Sequence, residues 1–276
     1  MKTCYLYTLG ILMIFGTLYV IHAQTITFSK RIISGTRAAV NQFPWHVILK
    51  RDEFDVLLCG GSLISDSWVL TAAHCFKNIT SVFLVFGTID LRNDDINMTS
   101  TEIFMHPQYN EINFNNDIAL IQLPETLNFT SSIQAIKLVT TALAATGFIG
   151  AQAIVAGFGQ LNDEEVAFPD TLQWAQVEIV NTSKCAEVYG EDLAAATNIC
   201  ARGYNDTNMS ICQGDSGGAL VWLNDADSFV QIGISSYVAL NQCTQNFPAG
   251  YTRLSSYMDF IQNITGIHFE DAMEIA

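Results

Sequence analysis

Basic residues are scarce in this chain of 276 residues. Lysine and arginine together number 12, against 27 aspartates and glutamates, and the formal net charge is −15. Residues 1–31 hold three of the basic residues and no acid, so a chain beginning at Ile32 keeps 9 basic residues and a charge of −18. Such a polyanion repels nucleic acid and anionic lipid, so we expect neither nucleic acid nor a membrane as a partner. The charge favours colloidal stability, with attraction of basic substrates as the alternative.

Linkers and repeats are also missing. The sequence has 5 prolines, and no tract rich in proline, glycine or serine divides it. Residues 32–276 form a stretch of 245 residues, long enough for one large β domain or two small ones.

A long apolar run near the N-terminus has the features of a secretory signal. Lys2 precedes the apolar residues 5–20, and a small residue, Ala23, stands at a plausible cleavage point. The run approaches the roughly 20 residues of a membrane-spanning helix, which is the competing interpretation. We expect a signal peptide at 1–23 and a secreted, extracellular product.

Cysteine pairs with the close C-x-x-C spacing of zinc sites do not occur, so we expect no metal, and nothing indicates another cofactor. Loss of Cys4 with the signal peptide leaves an even set: Cys59, Cys75, Cys185, Cys200, Cys212 and Cys243. In an exported chain these predict three disulfides, although six cysteines allow fifteen pairings.

Sequons for N-glycosylation agree with export. We expect glycans on six of the seven: Asn78, Asn97, Asn128, Asn181, Asn205 and Asn263.

Short apolar and β-branched runs, separated by turn residues, predict an all-β barrel or sandwich. The predicted strands are at 45–49, 56–58, 68–71, 82–86, 118–123, 153–156, 176–180, 219–223 and 231–235. Two helices are predicted, at 182–189 and, near the C-terminus, at 256–264.

The strongest motif is Gly-Asp-Ser-Gly-Gly at 214–218. A serine hydroxyl becomes a nucleophile when a base removes its proton and donors stabilise the oxyanion. Glycines on both sides let the backbone turn tightly, so that the amides of Gly214 and Ser216 can point at one oxygen. Taken alone, an ordinary glycine-rich turn is the alternative.

Two further motifs supply the partners of such a serine. His74, in Thr-Ala-Ala-His-Cys at 71–75, has a side chain whose pKa suits a general base. Asp117 stands just before an apolar run, where it could accept the imidazole N–H; alone, it would be read as a strand-capping aspartate. The other histidines, His22, His46, His106 and His268, are interpreted as surface or core residues. The chain order His74, Asp117, Ser216 is the order of chymotrypsin-like enzymes rather than of subtilisins or α/β-hydrolases.

These motifs, with Arg-Ile-Ile-Ser-Gly at 31–35, Gly-Gly-Ser-Leu-Ile at 60–64 and Ala-Gly-Phe-Gly at 156–159, resemble the trypsin/chymotrypsin family over residues 32–276. The segments Phe-Gly-Thr at 86–88 and Ile-Ile-Ser-Gly at 32–35 are most similar to those of arthropod chymotrypsins and brachyurin-type collagenolytic proteases. The resemblance implies an all-β fold of two six-stranded antiparallel barrels with the active site between them, followed by a C-terminal helix. It also implies the disulfides Cys59–Cys75, Cys185–Cys200 and Cys212–Cys243.

The resemblance further implies a zymogen. Residues 24–31 would be an activation propeptide, and cleavage after Arg31 would free the α-amino group of Ile32. In the family this ammonium pairs with the aspartate beside the nucleophile, here Asp215, whose carboxylate is costly to bury unpaired.

The same resemblance places Ser210 at the base of the primary substrate pocket, with Ser236, Tyr237, Val238 and Ala249 around it. A neutral Ser210 argues against tryptic specificity, and Val238 narrows the entrance. We therefore expect apolar P1 residues, between chymotrypsin-like and elastase-like. The sequon of Asn208 ends at Ser210, so we expect this asparagine to be unmodified or incompletely modified.

The expected partners are protein or peptide substrates, an activating trypsin-like protease and protein protease inhibitors. We expect a monomer, with a role in digestion or in venom. Two alternatives are a catalytically inactive family member that acts by binding, and an esterase or lipase, whose Gly-x-Ser-x-Gly pattern the serine motif also fits. The intact triad argues against the first, and the histidine far upstream of the serine argues against the second.

Overall fold

The computed structural model describes residues 35–163, 167–224 and 228–269. The expected signal peptide at 1–23, the propeptide at 24–31 and the cleavage site at Arg31 and Ile32 lie outside the described residues. Within those ranges, none of the helices combines the length and the apolar character needed to cross a bilayer.

Two antiparallel β-barrels make up the structure, which confirms the predicted fold class. The strands are β1 (Thr36–Arg37), β2 (His46–Lys50), β3 (Cys59–Leu63), β4 (Trp68–Thr71), β5 (Val82–Phe86), β6 (Asn97–Ser100), β7 (Ile103–Met105), β8 (Ala119–Gln122), β9 (Lys137–Leu138), β10 (Gln152–Gly157), β11 (Gln173–Val180), β12 (Asn198–Gly203), β13 (Ala219–Leu223), β14 (Phe229–Tyr237) and β15 (Ala249–Arg253). The α-helices are α1 (Thr141–Thr146), α2 (Ser183–Tyr189) and α3 (Met258–Thr265), and short 3-10 helices lie at Ala73–Phe76, Tyr204–Asp206 and Leu254–Ser256.

The first barrel is a sheet in the order β6–β5–β2–β3–β4–β8–β7. It has seven strands rather than the expected six because the segment from β6 to β7 bends after Ser100. β6 pairs with β5, whereas β7 pairs with β8 at the other end of the sheet. At the bend, Ser100 Oγ donates a hydrogen bond of 2.6 Å to the carbonyl of Gln122. One bent segment therefore joins both ends of the sheet and nearly closes the barrel.

The second barrel is a closed ring of six strands, from β10 to β15. It closes because β11 pairs with both β10 and β12. β1 pairs with residues 173 and 174 of β11, on the edge that β12 uses further along the strand, and β9 runs parallel to β14. Buried and half-buried residues alternate along all of β11, as expected of a strand with one face on the core.

The predicted strand at 56–58 is wrong. The strand of this region is β3, which contains Gly60 and Gly61. Glycine is depleted in strands, and in a strand it often marks a close approach of another backbone. A Cβ atom on Gly60 would lie 3.4 Å from Cα of Gly218, which precedes β13 of the second barrel. The barrels thus approach closely here, and the position that requires glycine is Gly217, where a Cβ atom would overlap the carbonyl of Gly60.

The two predicted helices are confirmed as α2 and α3. Helix α1 was not predicted from the sequence. Its first turn is capped by Thr140, whose hydroxyl accepts a hydrogen bond of 3.3 Å from the amide of Leu143.

Buried hydrogen bonds cross the junction between the barrels. The amide of Gly60 donates to the carbonyl of Ser216 at 2.8 Å. Ser62 Oγ donates to Oε1 of Gln231 at 2.8 Å, and Thr252 Oγ1 donates to the carbonyl of Asp117 at 2.8 Å. The residues predicted to be functional, Asp117 and Ser216, therefore lie where the barrels meet.

Gly250 provides a test of the packing between β14 and β15. It pairs with Tyr237, and a Cβ atom at this position would overlap the phenol ring. We predict that Gly250→Ala lowers the free energy of unfolding by about 1–3 kcal/mol, because an extra methyl group in a filled core displaces its neighbours. Equilibrium urea denaturation measures the change.

The control is the same substitution in a Tyr237→Ala background, where the ring is gone and the methyl group has room. We expect Gly250→Ala to cost almost nothing there. An equal cost in both backgrounds would show that the tyrosine ring is not the cause.

Candidate active site

His74 is held by the centre of the first barrel. It lies on the 3-10 helix at Ala73–Phe76, shortly after β4. The next residue, Cys75, is bonded to Cys59 of β3, and Thr71 Oγ1 donates to the carbonyl of Gly60 at 2.9 Å. The imidazole is therefore anchored to the first barrel, and its side chain remains 19% exposed.

Asp117 is buried beside His74, two residues before β8. Its Oδ2 lies 2.8 Å from Nδ1 of His74, and its Oδ1 accepts the backbone N–H of the same histidine at 2.9 Å. Ser236 Oγ, on β14 of the second barrel, donates to Oδ2 at 2.6 Å. Because the carboxylate accepts at Nδ1, the proton is held on that nitrogen and the lone pair of Nε2 is available.

Phe114 is a contact of this site that the sequence reading missed. Its ring lies edge-on to the imidazole of His74, with the centroids 5.5 Å apart. Its φ of 53° is in the left-handed region, which costs a bulky residue about 1–3 kcal/mol. The neighbouring asparagines carry no pattern that distinguishes Phe114 from an ordinary loop residue, so the sequence offers no signal for it.

Ser216 lies on the tight turn at 214–218, which packs against the first barrel. Its carbonyl accepts the amide of Gly60, and a Cβ atom on Gly217 would overlap Thr71 Oγ1. The turn is thus seated on the segment that leads to His74. Among the described residues, no hydrogen bond joins Ser216 Oγ to His74. Hydrogen bonds between a nucleophile and its base are often long in proteins without substrate, and they shorten when substrate binds.

Two backbone N–H groups of the serine turn, those of Gly214 and Ser216, have no hydrogen-bond acceptor among the described residues. Gly214 has a φ of 99°, a conformation that glycine adopts without strain. In the described part of the chain, the N–H groups of Gly214 and Ser216 donate to no acceptor, whereas the intervening Asp215 donates to the carbonyl of Cys212 at 3.0 Å. The two N–H groups are therefore free to bind the oxygen of a ligand.

Asp215 is a second buried carboxylate. Its Oδ1 accepts the amide of Gly159 at 2.7 Å, and its Oδ2 accepts the amide of Cys212 at 2.9 Å. No lysine or arginine within the described ranges forms an ion pair with it. Burial raises the pKa of this carboxyl to about 6, against the lowering effect of the two hydrogen bonds.

The residues assigned to the substrate pocket lie on three segments: the loop that contains Ser210, the end of β14 with the residue after it, and the start of β15. Ser210 and Ala249 are buried, and Val238 packs against the Cys212–Cys243 disulfide. Tyr237 does not stand in the open: it is 8% exposed, and its ring meets that of Tyr189 with centroids 5.3 Å apart. Tyr189 in turn donates its hydroxyl to the carbonyl of Pro248 at 2.6 Å.

The three disulfides are the pairs that the resemblance implies. Cys59–Cys75 lies in the first barrel, and Cys185–Cys200 and Cys212–Cys243 lie in the second. Where the structure describes the chain, each cluster of potential metal ligands contains one of these bonded pairs. Bonded sulfurs are not thiolates, so neither cluster is suited to a metal.

The six asparagines expected to carry glycans are all exposed, whereas Asn208 is half-buried. Their occupancy remains a prediction. Of the other histidines, His268 is exposed and His46 is buried, as interpreted from the sequence; His106 is half-buried, and its ring packs against those of Tyr257 and Phe260. Burial lowers the pKa of His46 to about 4. His22 lies outside the described residues.

Comparison with known proteins gives one consistent result. A family model described as Trypsin matches residues 32–261. Brachyurin from Leptuca pugilator is 33% identical over 239 residues, which cover 86% of this chain and 99% of that protein. A collagenase from Hypoderma lineatum is 35% identical over 242 residues, with 87% and 89% covered. A solved structure of HL collagenase superposes with a TM-score of 0.76 at 32% identity, covering 86% of this chain and all of that one.

The raised pKa of Asp215 predicts a pH-dependent stability of the full-length chain. A carboxyl whose pKa is higher in the folded than in the unfolded state favours folding at low pH, and this contribution is lost as the pH rises from about 4 through about 6. The difference corresponds to about 3 kcal/mol, at about 1.4 kcal/mol per pH unit. We expect Asp215→Asn to remove this dependence. Urea denaturation at pH 4 and pH 7.5 measures it.

Asp66→Asn, a change at another acidic residue, serves as the control and should follow the parent. A parent and an Asp215→Asn variant with the same pH dependence would contradict the burial of an uncompensated carboxylate at this position.

Proposed function

Because the chain belongs to the trypsin family of serine proteases, and is therefore a hydrolase, we propose that it is a secreted endopeptidase made as an inactive zymogen. Residues 1–23 are the signal peptide, residues 24–31 the propeptide and residues 32–276 the protease domain of two barrel halves. Cleavage between Arg31 and Ile32 activates it.

The observation that carries the proposal is the contact of 2.8 Å between Nδ1 of His74 and Oδ2 of Asp117. Ser236, from the other barrel, donates a further hydrogen bond to the same oxygen. A buried carboxylate that fixes the tautomer of a partly exposed imidazole is the arrangement of a general base. The serine turn is seated beside this base on Gly60 and Thr71.

In the proposed reaction Ser216 Oγ attacks the carbonyl carbon of the scissile peptide bond while Nε2 of His74 takes its proton. Asp117 stabilises the resulting imidazolium without accepting the proton. The imidazolium then gives the proton to the leaving amine, and an acyl-enzyme remains. Water, activated by the same histidine, hydrolyses the ester and restores Ser216.

The negative charge that develops on the carbonyl oxygen is stabilised by the N–H groups of Gly214 and Ser216. Their lack of other acceptors in the described ranges supports this role. Loss of one such donor in a related setting costs about 10²–10³ in kcat.

Activation acts through Asp215. The α-ammonium of Ile32, created by cleavage, pairs with this carboxylate and removes the cost of burying its charge. The raised pKa and the absence of a described cationic partner support the need for one. Because Asp215 lies between Gly214 and Ser216, its position determines where their amides point.

The substrate pocket accepts apolar P1 side chains. Ser210 supplies no charge for lysine or arginine, and Val238 and Ala249 reduce the width available to a large ring. Preference for leucine, methionine or phenylalanine and smaller apolar residues follows. The enzyme acts as a monomer without metal or cofactor, and protein protease inhibitors and an activating trypsin-like protease are its protein partners.

Purified full-length chain provides the first functional test. A trace of trypsin is added and then blocked with a trypsin-specific inhibitor, and peptides with Arg, Phe, Leu or Ala at P1 are followed. We expect cleavage after Phe or Leu that appears only on activation, because the ammonium of Ile32 exists only then.

Ser216→Ala is the matched control, since it leaves the barrel junction intact, and it should lower kcat by at least about 10³-fold. Cleavage after Arg would show that the protein is a protease but would reject the assignment of Ser210 to the substrate pocket. An activated chain that cleaves none of the peptides would favour the inactive, binding member of the family.

A second test concerns Val238. Replacing it with glycine widens the pocket, so we predict that Val238→Gly raises kcat/KM for a P1-Phe peptide relative to a P1-Ala peptide by about tenfold, in the range that a few methyl groups contribute in an apolar pocket. Steady-state kinetics on the two peptides measures the ratio. A ratio that stays unchanged would place Val238 outside the pocket.

A further inference from the structure

Asp163 makes an unusual set of contacts outside the catalytic group. Its Oδ1 accepts the amide of Cys243 at 2.7 Å, and its Oδ2 accepts the amide of Thr244 at 3.1 Å. Thr244 Oγ1 donates to the same Oδ2. One carboxylate thus binds three donors on a segment 80 residues away in the sequence.

The segment that Asp163 binds is the loop between β14 and β15, here called the pocket loop, residues 238–248. It begins with Val238 and leads into Ala249. Asn241 and Asn246 have left-handed φ angles of 54° and 60°, and two turn hydrogen bonds, both of 3.1 Å, hold the loop locally. Its covalent anchor is the Cys212–Cys243 disulfide.

A disulfide alone fixes the position of Cys243 but not the direction of the backbone on either side of it. A carboxylate that accepts two consecutive amides and the following hydroxyl sets that direction. Hydrogen bonds to a charged acceptor are stronger than those between neutral groups, so the anchor is substantial even for a half-buried side chain.

Asp163 is also connected to the residues around Ser216. Four residues earlier, the amide of Gly159 donates to Oδ1 of Asp215, and the amide of Gln160 donates to the carbonyl of Gln213 at 2.8 Å. A Cβ atom on Gly159 would overlap the Asp215 carboxylate, so this approach requires glycine. Residues 159–163 therefore connect Asp215, the turn at 214–218 and the pocket loop.

We propose that Asp163 is a positioning residue for specificity, which holds the pocket loop against the substrate pocket and links its position to Asp215. The proposal rests on the proposed function, because it assigns a substrate-binding role to the wall that contains Val238. It predicts that loss of the carboxylate weakens the discrimination between P1 side chains more than the chemistry itself.

The experiment uses the activated full-length enzyme and three variants: Asp163→Ala, Asp163→Asn and Thr244→Val. For each, kcat/KM is measured for the P1 peptide that the parent prefers and for the matching P1-Ala peptide, and the active fraction is titrated with an acylating ester. The ratio of the two kcat/KM values is the readout, because a smaller active fraction lowers both equally.

We expect Asp163→Ala to lower the ratio by about tenfold, the amount that loss of a charge-assisted hydrogen bond accounts for. Thr244→Val, which removes one of three donors, should lower it by about threefold. Asp163→Asn keeps one acceptor oxygen, so its ratio should lie between those of Asp163→Ala and Thr244→Val. Glu125→Ala, an exposed acid with no described contact, is the charge-matched control and should leave the ratio unchanged.

An unchanged ratio in folded Asp163→Ala would overturn the proposal, as would the same fall in Glu125→Ala. If Asp163→Ala does not fold, Thr244→Val and Asp163→Asn decide the question on the same ratio. A parent enzyme that cleaves neither peptide would reject the proposed function itself, whereas a selective parent with insensitive variants would reject only the role of Asp163.

Discussion

The carboxylate of Asp117 is the interaction on which the remainder of the site depends. A buried charge is tolerated only where enough donors surround it, and here the donors come from both barrels. The first barrel supplies two N–H groups of His74, and the second supplies the hydroxyl of Ser236. The carbonyl of the same aspartate accepts Thr252 from the second barrel. The same aspartate therefore takes part both in the contact between the barrels and in the orientation of the imidazole.

The two buried carboxylates of the junction differ in how far they are satisfied. Asp117 accepts bonds from two side chains and one backbone amide, whereas Asp215 has two amides and, in the described residues, no cation. Burial accordingly raises the pKa of Asp215, and its burial as a charged group opposes folding near neutral pH. Asp117 is therefore surrounded by donors from both barrels, whereas the charged form of Asp215 would be stabilised by a cation placed beside it.

Much of this could be read from the sequence, and the failures have physical causes. Short motifs selected His74, Asp117 and Ser216 because each residue type suits one chemical task, and the structure brings His74 and Asp117 into contact. The apolar and β-branched run at 176–180 identified the second half of β11. β3 was missed because it contains Gly60 and Gly61, and glycine usually indicates a turn rather than a strand. The bend between β6 and β7 depends on a hydrogen bond from Ser100 to Gln122, a partner 22 residues away. Phe114 and Asp163 escaped for the same reason, since their partners are distant in the chain and neither residue type is distinctive in a loop.

The placement of the disulfides has a mechanical consequence. Each of the three lies inside one barrel, so no described disulfide spans the junction. Among the described residues, the covalent connection between the halves is the polypeptide chain. Each barrel has its own disulfides, while the contacts between the barrels are noncovalent: hydrogen bonds and packed side chains, among them the rings of Trp45 and Phe229, whose centroids lie 5.2 Å apart. A displacement of one half relative to the other therefore breaks no described disulfide. Because His74 belongs to one half and Ser236 and Ser216 to the other, such a displacement changes the geometry of the site while each barrel keeps its own cross-links.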